Sequence, residues 1–274
     1  CRRNADAGTI YCCDRDWTQR GTVIEYNFIH MTGYQPRPSH VRCVYLDDYS
    51  SGKTVRRNIF CRSVGGLYVG GGRDNVIEEN ISVNIPEAVL IGSRGPEPGG
   101  QWAADDLKGF GSTIYKASLK NADVKTNALW QARYGRKIVD LFESKDPVNE
   151  HNAYDNVISN NVAVCCGYGV KVDQAAAVPR TYAGGNVAYD EDPGFADYAH
   201  LDFSAKPGSP LWTKLGDTRF SEMGLYADPL RASPPVKVGA DVNRIFEYIR
   251  DPRTFPHLAA FGYAAICQLS DNIS

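Results

Sequence analysis

No stretch of this chain is long and apolar enough to cross a membrane, so a spanning segment is not expected. Neither sign of charge is in excess. The formal net charge is −2 and the pI about 6.2, which gives no basic field for nucleic acid, and no run of like charges reads as a tail. None of the eight cysteines belongs to a C-x-x-C pair, so a zinc site is not indicated. Cys1, Cys12, Cys13, Cys43, Cys61, Cys165, Cys166 and Cys267 read as buried thiols, with disulfides between coils left open. An initiator methionine and a signal peptide are also missing, and a full coil begins within the first few residues. The expectation is a truncated or processed chain, or a first coil whose edge another subunit covers.

What is present is a recurring asparagine. It stands in Tyr26-Asn27-Phe28-Ile29, Arg57-Asn58-Ile59-Phe60, Glu79-Asn80-Ile81, Asn160-Asn161-Val162 and Gly185-Asn186-Val187. Periods of roughly 20 to 50 residues are where repeat architectures live. Asparagine tolerates the left-handed corners that a winding chain needs, and stacked amides bond along the axis. The flanking runs are short and rich in β-branched residues, which favours strands.

A second set of strands can be registered: Gly8 to Cys12, Cys43 to Asp47, Gly66 to Gly70, Ala88 to Gly92 and Gly169 to Asp173. Alternation points Ile10/Cys12, Val44/Leu46, Leu67/Val69, Val89/Ile91 and Val170/Val172 inward. Tyr11, Tyr45, Tyr68, Leu90 and Lys171 then form an outward row, a candidate groove floor. The expected fold is all-β, a right-handed parallel β-helix over residues 1–229. At 274 residues the chain exceeds the usual single-core size, a limit that a solenoid escapes by adding coils.

The long interval from Asn80 to Asn161 reads as one coil interrupted by an excursion over about 93–154. It carries Trp102, Trp130, Arg133, Tyr134, Arg136 and Lys137, a mixture that suits sugars or anionic polymers, or that packs the excursion onto the coils. Beyond residue 230 the texture changes. Val242, Ile245, Phe246 and Ile249 fall at i, i+3, i+4 and i+7, so 230–274 reads as a helical tail that either caps the last coil or mediates self-association.

The segments Asp6 to Tyr11, Arg15-Asp16-Trp17, Gly21 to His30, Tyr45 to Asp48 and Gly70-Gly71-Gly72-Arg73-Asp74-Asn75 resemble bacterial parallel β-helix proteins of the pectate-lyase-like superfamily. The likeness runs through Asp192-Pro193-Gly194-Phe195 to Gly224-Leu225-Tyr226. It implies a carbohydrate-active scaffold, used by polysaccharide lyases and by several glycoside hydrolase families, in a secreted or periplasmic setting. Fold alone does not assign the reaction.

Glycoside hydrolysis needs two carboxyl groups about 5 to 10 Å apart, and coils stacked about 4.8 Å apart supply that spacing. Asp14, Asp16, Asp47, Asp48 and Asp74 gather at one corner of three coils, among Arg15 and Arg73 and beside Tyr11, Tyr45 and Tyr68. Asp47, Asp48, Asp16 and Asp74 are therefore the catalytic candidates, Asp47 first because it shares the outward parity of Tyr45. Tyr11, Arg15, Tyr45, Tyr68, Arg73, Lys171 and Trp130 are the substrate-binding candidates. Asp6, His30 and His40 stand at the margin. Corner acids also cap turns and pair with arginines, which is the competing structural account. No cofactor is expected for hydrolysis. The alternative is a lyase on a uronate polymer, with Lys171 as base and Arg73, Arg94, Arg133 or calcium neutralising the substrate acid. A non-catalytic carbohydrate-binding or structural solenoid is the third reading.

Overall fold

The computed structural model describes residues 6–15, 18–30, 32, 40–92, 123, 126–135, 153–173, 178–199, 201–215 and 223. Asp16, Arg94, Trp102, Arg136, Lys137 and the segment 230–274 lie outside these residues.

Fifteen strands wind into five coils of a parallel β-helix. The first coil contains β1 (Asp6–Cys13), β2 (Val23–Glu25) and β3 (Phe28–His30). The next two contain β4 (His40–Asp47), β5 (Thr54–Arg56) and β6 (Ile59–Cys61), then β7 (Leu67–Gly70), β8 (Val76–Glu78) and β9 (Ile81–Val83). The fourth starts with β10 (Glu87–Gly92) and, after the excursion, continues with β11 (Val157–Ser159) and β12 (Val162–Val164). The fifth is β13 (Tyr168–Val172), β14 (Tyr182–Gly184) and β15 (Val187–Tyr189). Stacking gives three five-stranded sheets: A is β1-β4-β7-β10-β13, B is β2-β5-β8-β11-β14, and C is β3-β6-β9-β12-β15. Every pairing within them is parallel.

The sequence register holds. Tyr11, Tyr45, Tyr68, Leu90 and Lys171 occupy one row of sheet A. Of the ten residues expected to face inward, six are buried in the interior core, together with Ile24, Val55, Ile77 and Ile158 from sheet B and Phe60 from sheet C, and the four in the end strands, Ile10, Cys12, Val170 and Val172, pack against it partly buried. Full burial of each such aliphatic side chain stabilises by about 1.5–3 kcal/mol. Strict alternation fails at one place: Cys43 turns into the core while Arg42 lies over the Tyr68 ring at 5.5 Å.

The asparagines do stack, but they are not the left-handed residues. Positive φ belongs to the residue before each one: Tyr26 at 56°, Arg57 at 53°, Glu79 at 54°, Asn160 at 54° and Gly185 at 69°. That bend turns the following amide along the solenoid axis. The Nδ2 groups of Asn27, Asn58, Asn80 and Asn161 each donate to the Oδ1 of the next asparagine, ending at Asn186, all at 2.9 Å. Each of those Oδ1 atoms also accepts the backbone N–H of the preceding asparagine. Asn58 is fully buried, so its polar atoms depend on this ladder. Asn75 and Asn156 begin a second column at the A–B corner, where Lys53 takes the third place.

After β15 the chain folds back over the outer face of sheet C. β16 (Phe195–Asp197) and β17 (Asp202–Ala205) form an antiparallel pair, followed by α1, the helix Pro210–Leu215. Phe195, Phe203, Leu211, Leu215 and Met223 cover Ile59, Ile81, Val83, Val162 and Val164, a second core. The strap reaches the first coil, where Phe203 lies 6.2 Å from Phe28. In the excursion the described helix, α2, spans Ala128–Tyr134 and is capped by Asn127, whose side chain accepts from the Leu129 and Trp130 amides.

Candidate active site

Where sheet A turns toward sheet B, the first two coils bring Tyr11, Cys13, Arg15, Asp47 and Asp48 together. β1 and β4 are in register, so Cys13 sits beside Asp47, and Tyr11, two residues back on the same face, sits beside Tyr45. The Tyr11 hydroxyl donates to Asp47 Oδ2 at 2.6 Å. The Asp48 amide donates to Asp47 Oδ1 at 2.9 Å. Two consecutive residues, Asp48 at φ 32° and Tyr49 at φ 66°, adopt the left-handed conformation that bulky side chains avoid. This bend brings both carboxylates to one side.

Arg15 holds Asp48, with Nε at 2.6 Å and Nη2 at 2.5 Å from Oδ2. The Cys13 thiol is 3.6 Å from the same oxygen. Ligand atoms of Cys13, Asp47 and Asp48 all lie within 4.8 Å of one another. Asp47 and Asp48 are each 6 % exposed, whereas Tyr11 is 46 % exposed, so solvent meets the tyrosine before the acids. Desolvation and then the bond to Asp47 push the Tyr11 phenol above the usual tyrosine range, which keeps it a proton-bearing donor. Desolvation and the Asp48 charge push the Cys13 thiol up as well.

The other candidates are placed differently. Tyr11, Tyr45 and Tyr68 pack edge to face with centroids 5.1 Å apart, but Tyr45 and Leu90 are buried, so the row is open only toward its ends. Asp74 pairs with Arg20 at 2.9 Å, and Asp14 with the buried Lys53 at 2.7 Å. These two acids brace the corner. Arg73 is also buried, 5.5 Å from the Tyr154 ring, and burial pulls its pKa down to about 10. Lys171 stands three coils beyond Asp47, about 14 Å at the strand spacing, and pairs with Asp173 at 2.8 Å. Trp130 lies tilted against Tyr134, whose ring is 4.6 Å from the Arg20 guanidinium, so the excursion helix meets the coils at Arg20. His30 stacks on Phe28 in sheet C, away from the tyrosine row, while His40 starts β4 opposite Asp6.

Cys13 was not among the residues expected from sequence, although it shares the outward parity of Tyr11 and the register position of Asp47. Arg42, Glu87 and Tyr168 were also missed. Arg42 pairs with Glu87, and the Glu87 charge, after burial, pushes the Tyr168 phenol up. Their signal was obscured by the break in alternation at Cys43.

Compared with protein-family models, curated proteins and solved structures, the chain matches none.

Proposed function

We propose that the Tyr11–Asp47–Asp48–Arg15 corner cleaves a glycosidic bond in a poly- or oligosaccharide by hydrolysis. The observation that carries the reading is the pair of adjacent carboxylates with unlike partners. Asp47 accepts from the Tyr11 hydroxyl and the Asp48 amide and takes the proton-transfer role at the leaving oxygen. Asp48 is paired with the Arg15 guanidinium and takes the role of the second carboxylate, acting on the sugar or on water. Oxygens of Asp47 and Asp48 lie within 4.8 Å of each other, close enough for the two carboxyl groups to serve one glycosidic bond. Tyr11 offers an exposed aromatic face for a sugar ring.

One observation favours a second reading, a binding-only solenoid: both carboxylates already accept protein hydrogen bonds. A panel of plant and algal polysaccharides distinguishes the two. For a hydrolase, reducing ends appear with wild type, and Asp47→Asn or Asp48→Asn lowers their release by roughly 100-fold or more while glycan binding persists. Binding with no product supports the second reading. Ultraviolet absorbance from an unsaturated uronide would assign elimination instead and overturn hydrolysis.

A further inference from the structure

The outer face of sheet B changes character along the solenoid. Ile24, Val55, Ile77 and Ile158 point into the core, so alternation directs the residues on either side of them outward. One outward row is Val23, Thr54, Val76, Val157 and Tyr182, and the other is Glu25, Arg56, Glu78, Ser159 and Gly184. Over the first three coils the second row is charged and carries the Arg56–Glu25 pair, while beside it Arg57 pairs with Glu79 and lies over the Tyr26 ring. Over the last two coils the same positions hold Ser159 and Gly184, followed by Asn160 and Gly185.

There the Tyr182 ring lies down along its own strand. A methyl group at position 184 would stand 2.2 Å from the Tyr182 hydroxyl oxygen and 2.5 Å from Cζ, so one side of the phenol rests on the glycine. The residue is 61 % exposed, which leaves the other side of the ring to solvent. Asn160, also exposed, reaches over the next glycine: a methyl group at Gly185 would stand 2.3 Å from Asn160 Oδ1. The Lys214 ammonium donates to the Gly185 carbonyl at 3.1 Å and borders the same corner. The result is a shelf with an aromatic face, an amide, the Ser159 hydroxyl and an ammonium, three coils from Asp47, or about 14 Å along the axis.

We propose that this shelf binds a pyranose unit of a neutral saccharide, as a second carbohydrate site apart from the acids. The C–H face of a pyranose packs on an aromatic ring while its hydroxyls exchange hydrogen bonds with amide, hydroxyl and ammonium groups at the rim. Glu78 adjoins Ser159 in register and disfavours an acidic sugar. A protein partner fits less well, because a stable interface buries about 800 Å² on each side. The other exposed apolar side chain of the row, Val23, lies four coils away, past the charged positions.

The test is affinity electrophoresis of the full chain in gels containing a soluble β-glucan, a galactomannan or an arabinoxylan. Asp47→Asn and Tyr11→Ala are both introduced as background, so that the acid corner neither cleaves nor stacks. This chain is expected to be retarded by at least one of the three polymers. Adding Tyr182→Ala should raise the dissociation constant roughly tenfold or more, and Gly184→Ala, which lifts the ring off the strand, should act in the same direction. Tyr182→Phe keeps the ring and should stay within about threefold of the background chain. Thermal unfolding checks that each variant is folded, and the exposure of Tyr182 makes its substitutions mild. No retardation by any of the three polymers, unchanged retardation in Tyr182→Ala, or an equal loss in Tyr182→Phe overturns the proposal. Affinity that depends on Tyr182 in a protein whose wild type releases no reducing ends keeps this site and removes hydrolysis, whereas release of reducing ends with affinity indifferent to Tyr182 does the reverse.

Discussion

The Arg42 guanidinium crosses the backbone at Gly65 to pair with the Glu87 carboxylate, two coils further along the solenoid. A methyl group at position 65 would overlap Arg42 Nη1 and Cδ, so the glycine is what opens the path. The Arg42 side chain is buried and Glu87 is only partly exposed. Gly65→Ala is therefore expected to displace the arginine and cost about 1–3 kcal/mol in a urea unfolding experiment. Combined with Glu87→Gln, it should cost little more than Glu87→Gln alone, because both substitutions break the same pair. Independent, additive losses would show that the glycine serves something else.

Asn80 occupies the middle of the amide ladder. Its Oδ1 accepts from the Asn58 backbone and side chain, and its Nδ2 donates to Val55 O and Asn161 Oδ1. Asn80→Ala leaves buried donors and acceptors unpaired and is expected to cost about 2–5 kcal/mol. Asn80→Asp keeps the acceptor but, once ionised, presents negative charge to two carbonyl oxygens. Burial raises the folded-state pKa of the introduced carboxyl above its unfolded value near 3.9. The variant's stability is thus greatest below about pH 3.9 and falls as pH rises through the folded value. Denaturation of wild type and variant at about pH 4 and pH 7 checks this, since only the variant should lose ground at the higher pH.

The solenoid was legible because its two signals are independent. The asparagine spacing located the B–C corners, and alternation in Ile10/Tyr11/Cys12 and its counterparts located sheet A and its faces. Which residue takes the left-handed conformation was not legible, since Tyr26, Arg57 and Glu79 share no side-chain chemistry; only the backbone at that corner is common to them. At the candidate site, sequence placed Asp47 and Asp48 beside Tyr11 and Arg15 through register. It kept Asp74 among the catalytic candidates and gave no partner for Asp14, because an acid's use depends on which cation reaches it. Arg20 and Lys53 come from other coils, by paths that no local pattern encodes.

All six described cysteines are free thiols, and the buried Cys43 and Cys61 with the partly buried Cys166 govern alkaline stability. Burial pushes Cys61 and Cys166 up to about 12 and Cys43 up to about 11, from 9.0. A folded-state pKa above the unfolded one means that the native thiols keep protons the unfolded chain has lost. Their contribution is fully present below pH 9 and declines from there up to about pH 11–12, by as much as about 1.4 kcal/mol per pH unit for each thiol. Unfolding midpoints from pH 8 to 10.5 should fall, and Cys61→Ala should make the fall shallower. Tyr168 and Tyr198, also pushed up chiefly by burial, add to the decline above pH 10 with the same sign. An unchanged slope in Cys61→Ala would show that this thiol does not remain protonated in the folded chain.

The bond from the Tyr11 hydroxyl to Asp47 is measurable without a substrate. Desolvation is the first cause of the raised phenol pKa, and the Asp47 hydrogen bond and charge come next. Asp47→Asn removes the charge and leaves the desolvation, so Tyr11 should titrate at lower pH than in wild type yet still above the usual tyrosine value near 10. The Tyr11 contribution is isolated by subtracting the alkaline absorbance titration of Tyr11→Phe. Because Tyr11 is 46 % exposed, that substitution should change stability by less than about 1 kcal/mol. If saccharide cleavage is found, Tyr11→Phe should reduce kcat more than it raises KM, since the hydroxyl acts through Asp47 while the ring retained by phenylalanine still meets the sugar. An identical Tyr11 titration in Asp47→Asn would mean that the two groups are not coupled in solution, and Tyr11 would lose its place beside the acids.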